Sequence, residues 1–146
     1  MKAFAAATAL VAVSLLSIDY AAAQDVTKGE QIFKQCSLCH RIGDGAKNLI
    51  GPVLNNVIGR QAGTYEGFNY SPLMKAAGQN GLVWSEDLVV QYIADPNAFL
   101  KKFLTDKGKP ELATGSTKMT FHLTDEQQRK DVIAYINKFS DKADKK

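Results

Sequence analysis

Cys36-Ser37-Leu38-Cys39-His40 holds both cysteines of this 146-residue chain and one of its two histidines. Four chemistries can use such a cluster. A disulfide would close a loop of only two intervening residues, and so short a bridge stabilises little. A redox dithiol belongs in an alternating strand–helix pattern, which the chain lacks. A zinc site wants four ligands; Cys36, Cys39, His40 and His122 could supply them, at irregular spacing. The fourth is covalent haem attachment. Two sulfurs add to the haem vinyl groups, and the adjacent histidine is set under the iron as an axial ligand. C-x-x-C-H is the signature for it, and it demands all three residues at this spacing.

Upstream, Lys2 precedes an uncharged, mostly apolar run from Ala3 to Ile18, and Ala21-Ala22-Ala23 follows. These are the parts of a secretory signal cleaved before Gln24. The run falls short of the ~20 residues a membrane-spanning helix needs, and no later segment is apolar for long enough. The expected organisation is a signal peptide over residues 1–23 and one domain over residues 24–146, exported to the periplasm without membrane insertion. Removing Lys2 and Asp19 together leaves the formal net charge at +3. That excess is too small to argue for nucleic acid. It can steer the protein toward an acidic partner if the lysines cluster.

Helix signals are plentiful and strand signals poor. Thr27-x-x-Glu30 is a capping box, and Ile32, Phe33 and Cys36 follow at helical spacing. Residues 41–67 are dense in glycine, including Gly51 and Gly59, and predict loops wrapped over something. Ser71-Pro72 opens a short helix that Gly78 ends. Ser85-Glu86-Asp87 starts another, with Leu88, Val89, Tyr92 and Ile93 as its apolar stripe. Asp95-Pro96 caps a further helix through Phe99, Phe103 and Leu104. Residues 105–117 form a polar loop. Thr124-x-x-Gln127 is a second capping box, opening a last helix whose stripe is Val132, Ile133, Tyr135, Ile136 and Phe139. The fold class is therefore all-α, about five helices with long loops. Long irregular loops in a compact domain need an explanation, and a large apolar cofactor provides one.

If His40 takes one face of the iron, Met74, Met119 and His122 are candidates for the other. Met74 sits on a short helix, where a methionine is by default a packing residue. Met119 stands in the polar stretch Ser116-Thr117-Lys118-Met119, where ligation would bury it. A His/Met pair raises the reduction potential; His122 as ligand would give a lower one.

Taken together, these residues make the chain resemble the class I cytochromes c, and within them the cytochrome c2 branch of phototrophic bacteria. The resemblance runs from Gly29 to Phe139. Besides C-x-x-C-H it rests on Gly29 with Phe33, Gly51-Pro52, Gly59-Arg60, Gly67-Phe68-Asn69-Tyr70, Trp84, Tyr92 with Pro96, Thr117-Lys118-Met119, and Tyr135. It implies a cytochrome c fold around one covalently bound haem c. Cys36 and Cys39 would carry the thioethers, with His40 the proximal and Met119 the distal ligand. The Pro52 carbonyl would accept the proton on the other nitrogen of His40. Arg60, Tyr70 and Trp84 would surround the haem propionates. Tyr92 would reach toward the Met119 sulfur, and Thr117 would be a further cofactor-binding residue. Without the resemblance, Trp84 and Tyr92 read as core aromatics and Arg60 as a surface charge. The chain departs from short relatives by extra residues between Tyr70 and Trp84 and between Pro96 and Met119, and by Gln35 where lysine is common.

A six-coordinate His/Met haem has no vacant position for a substrate, which argues for a one-electron carrier and against an enzyme. The implied partners are a cytochrome bc1 complex as donor and a photosynthetic reaction centre or terminal oxidase as acceptor, met by a monomer. The basic residues expected to frame the haem edge are Lys34, Lys47, Lys101, Lys102, Lys107, Lys109 and Lys118. The alternative is a haem protein with a labile Met119 that binds gases or acts as a peroxidase.

Overall fold

The computed structural model describes residues 23–140. The expected signal peptide, but for Ala23, lies outside the described residues, as does the end of the tail. Among the described residues there are five α-helices: α1 (Val26–Cys36), α2 (Pro72–Gln79), α3 (Glu86–Tyr92), α4 (Pro96–Asp106) and α5 (Glu126–Ile136). Extended pairing is limited to an isolated bridge between Gln61 and Val83. A short 3-10 turn, Pro110–Leu112, interrupts the expected polar loop, and another, Asn137–Phe139, follows α5.

Three helix starts fall where local chemistry puts them. Ser71, Ser85 and Asp95 each accept a hydrogen bond from a backbone N–H three residues on. Two starts are corrected. Asp25, not Thr27, caps α1, its carboxylate accepting from the N–H groups of Thr27 and Lys28 at 3.0 Å. Asp125, not Thr124, caps α5, accepting from Gln128 N–H at 2.8 Å. In both places an aspartate competes with a nearby threonine. Its full negative charge suits the positive helix end better than a hydroxyl.

Gly78 is a further correction. It lies inside α2 rather than ending it, and Asn80 is the C-terminal cap. Gly78 is there for space: a Cβ on it would stand 1.9 Å from the carbonyl oxygen of Ala62. The same need governs the crossing of α1 and α5, which brings the two ends of the domain together. A Cβ on Gly29 would stand 2.0 Å from the Asp131 carbonyl oxygen. Beside it Phe33 and Tyr135 pack with their rings tilted, 5.4 Å between centres.

Leu73, Leu82, Leu100, Leu104, Val132 and Ile133 are fully buried and form one core with the aromatic side chains around them. The loop between α1 and α2 is tied by amide side chains. Asn55 bonds both the N–H and the carbonyl of Gly43, at 2.8 and 2.9 Å. Asn48 accepts from Val53 N–H and donates to the carbonyl of Glu66. These bonds do for irregular backbone what a ladder does for a strand.

Asp131 is a buried polar residue that the sequence did not mark. Its carboxylate accepts from the backbone N–H of Asp25 and from Gln127 Nε2, both at 2.8 Å. It thereby fastens the start of α1 to α5. Asp131→Ala should cost about 1–2 kcal/mol, the lower part of the penalty for a stranded donor, because Asp25 is only half-buried. Equilibrium urea unfolding measures this, and an unchanged midpoint would contradict it.

Candidate metal centre

The last turn of α1 carries Cys36, and its hydrogen bonding runs on beyond the helix. The N–H groups of Cys39 and His40 both donate to the Cys36 carbonyl, at 3.0 and 2.9 Å. That tight turn brings Cys36, Cys39 and His40 to one cavity of about 290 Å³ in the middle of the molecule. Both cysteines are free and half-buried. Burial pushes the Cys36 thiol up to about 11, against the pull of its own backbone hydrogen bond.

The carbonyl oxygen of Pro52 lies 2.7 Å from His40 Nδ1. A carbonyl only accepts, so Nδ1 carries the proton and Nε2 keeps its lone pair. Burial holds the imidazole below its ordinary value, partly opposed by the Pro52 bond, with the Arg60 charge a further lowering cause. The neutral ring that results is the form that binds a metal. Gly51 completes this arrangement, since a Cβ there would lie 2.4 Å from His40 Cε1.

The other residues singled out in the sequence line the same cavity: Pro52, Arg60, Tyr70, Trp84, Tyr92, Thr117 and Met119. Arg60 donates to the carbonyls of Asn55 and Val53 at 3.2 and 3.1 Å, and burial lowers its pKa, partly offset by Tyr70 and Tyr65. Trp84 and Tyr92 are both buried and pack at 4.9 Å between ring centres. Burial pushes the Tyr92 phenol up to about 12, while its hydrogen bond with Thr117 pulls the other way. The three candidates for a second ligand separate. Met74 and Met119 reach the cavity, Met74 buried within the core. His122 is exposed and is not among the lining residues. The four-ligand zinc reading loses its support with it, and no cluster of three or more His, Cys, Asp or Glu suits a metal ion among the described residues.

The donors present fit a haem: two free thiols, an imidazole with one nitrogen tied off, and a thioether, around a mostly apolar cavity. Leu38 and Ile50, 74% and 71% exposed, stand at its mouth. Sequence reasoning passed over these two, and also Asn97, whose side-chain oxygen accepts from Thr117 N–H at 3.1 Å. Nothing local in the sequence signals that contact, because its ends are twenty residues apart.

Comparison with known proteins agrees with this geometry. The family model "Cytochrome c" matches residues 26–140. The chain belongs to the cytochrome c family. It is 66% identical over 113 residues to a cytochrome c2 of Rhodopseudomonas palustris, covering 77% of this chain and 96% of that one. Cytochrome c2 iso-1 of Rhodospirillum centenum is 60% identical over 116 residues, covering 80% and 97%. The solved structure of cytochrome c2 from Rhodospirillum centenum superposes with a TM-score of 0.78 at 59% identity, covering 80% of this chain and 98% of that one. Within the family, then, this cytochrome c is like the bacterial cytochromes c2. It is an electron carrier rather than an enzyme, and its cofactor is one covalently attached haem c.

Proposed function

We propose that this cytochrome c is a soluble periplasmic shuttle, moving one electron at a time from a cytochrome bc1 complex to a photosynthetic reaction centre or terminal oxidase. Cys36 and Cys39 would carry the thioethers, and His40 and Met119 would be the protein ligands of the iron. The ligand assignment rests on placement: Met119 lines the cavity that His40 lines, from a loop, whereas His122 is exposed outside that lining and Met74, also in the lining, is packed into the core on α2. A haem c bound there supplies a one-electron iron couple at a raised potential, because a neutral thioether favours the ferrous state. Pro52 fixes the tautomer and ring angle of His40. Arg60, Tyr70 and Trp84 offer donors to the propionates, which need them to offset desolvation. Val132, Ile133 and Ile136 on α5 keep water from that wall of the cavity. The gas-binding or peroxidatic alternative finds no favour, since the relatives are cytochromes c2.

The test is a reduced-minus-oxidised spectrum with a redox titration. A single one-electron wave and a far-red sulfur-to-iron band in the ferric protein are expected. A missing band, or ready carbon monoxide binding by the ferrous form, would overturn the His/Met assignment.

Partner choice would follow from charge. Lys118 neighbours Met119 and is exposed, its ammonium donating to the carbonyl of Asn69. Lys102 is already paired with Asp106 at 2.7 Å, which weakens its field. Lys118→Glu should therefore slow reaction with an acidic partner roughly fivefold at low ionic strength and flatten its salt dependence. Lys102→Glu should do less. Stopped-flow rates over a salt series measure both, and equal effects would refute this ranking.

A further inference from the structure

The stretch that carries Met119 is bracketed by two backbone hydrogen bonds, from Ala113 N–H to the Pro110 carbonyl and from Leu123 N–H to the Ile93 carbonyl. Between them, side chains hold the backbone. Thr117 N–H donates to Asn97 Oδ1 at 3.1 Å. Met119 N–H donates to Thr117 Oγ1 at 3.3 Å. The Thr117 hydroxyl also bonds Tyr92 in the cavity wall. Asn97 is the second residue of α4 and half-buried, so its side chain is held by a rigid element. From it the chain runs out through α4 and the 3-10 turn and returns at Thr117. The Asn97–Thr117 bond closes the base of that excursion. Without it, Thr117 keeps only its side-chain contacts, and the backbone that presents Met119 is held by those and by the Lys118 ammonium on the Asn69 carbonyl, so it opens more easily.

We propose that Asn97 is a positioning residue that sets how readily Met119 leaves the iron. It acts through Thr117, and it rests on Met119 being the distal ligand as proposed above. Opening of this stretch breaks the Asn97–Thr117 bond together with the iron–sulfur bond. Losing the first in advance makes the second easier to lose.

The test uses holo-protein and imidazole as the incoming ligand. Ferric Asn97→Ala should bind imidazole about five- to tenfold more tightly than the parent, the effect of one neutral hydrogen bond removed from the closed state. Asn97→Asp keeps an acceptor at the same place and should stay near the parent. Asp131→Ala weakens the whole fold at the α1–α5 crossing, away from Thr117, and should leave imidazole affinity unchanged. In the parent, the Thr117 amide should be protected from hydrogen exchange and should lose that protection when imidazole saturates the iron. This last measurement needs no variant to fold. The proposal falls if Asn97→Ala binds imidazole like the parent, if Asp131→Ala matches Asn97→Ala, or if the Thr117 amide stays protected with imidazole bound. A parent protein without the sulfur-to-iron band would remove the Met119 assignment itself, and this proposal with it. With the band present, a failure bears on Asn97 alone.

Discussion

With Met119 as the distal ligand, as proposed above, Met119→Ala holo-protein should keep its colour and fall in reduction potential. The two proposed thioethers and His40 would still hold the haem, so the pigment should remain. The sixth position falls to water or to any small ligand at hand. The far-red band disappears, and the ferrous form binds carbon monoxide. The potential drops by on the order of a few tenths of a volt, within the ~0.8 V span that axial ligands command. A neutral, polarisable sulfur stabilises the ferrous iron, and water does so less well. His122→Ala is the matched control. That side chain is exposed and outside the cavity lining, so band and potential should both stay put. Spectra and a redox titration of the two variants decide the matter. If His122→Ala is the one that shifts, the distal ligand has been misassigned.

The second large effect is on stability. Alanine is a better helix former than glycine by about 1 kcal/mol in a helix interior, so Gly29→Ala, at the end of the first turn of α1, would favour an isolated helix. In the folded protein the new methyl would meet Asp131 O at 2.0 Å and its carbonyl carbon at 2.6 Å. These are backbone atoms of α5 and cannot rotate aside. The helices must separate, which also parts Phe33 from Tyr135 and Asp25 from Asp131. The clash outweighs propensity, and a net loss of about 3 kcal/mol or more is expected, at the upper end of overpacking costs. Chemical denaturation of the holo-protein measures it. Stability equal to the parent would mean that the crossing is not as close as described.

What was legible in the sequence is what local chemistry dictates. Cys36, Cys39 and His40 are contiguous and reach one cavity, so their pattern survives in one dimension. Ser71, Ser85 and Asp95 cap the backbone a few residues ahead of themselves and are equally readable. The glycine-dense stretch between α1 and α2 was recognisable as loop because glycine breaks regular structure wherever it collects. Contacts between distant residues were not legible. Asp131 meets Asp25 from 106 positions away, and Asn97 meets Thr117 across α4; neither leaves a periodic or motif-like trace. Gly78 looked like a helix end because glycine serves both as terminator and as a place for another backbone to come close. Only the nearness of Ala62 separates those roles. Trp84 and Tyr92 read as core aromatics from their own neighbourhood. It took a family resemblance to suggest a place near the cofactor, and the fold puts them at once in the core and on the cavity wall.

The meeting of α1 with α5 has a consequence for biogenesis. Val132, Ile133 and Ile136 close one wall of the cavity that Cys36 and Cys39 also line, yet they lie far along the chain from those cysteines. Docking them also means closing a very long loop, which is slow compared with forming a single helix. An unfolded chain therefore presents Cys36 and Cys39 on an open, unwalled segment until α5 docks against α1. On the function proposed above, the haem would have to reach the two thiols before α5 closed that wall.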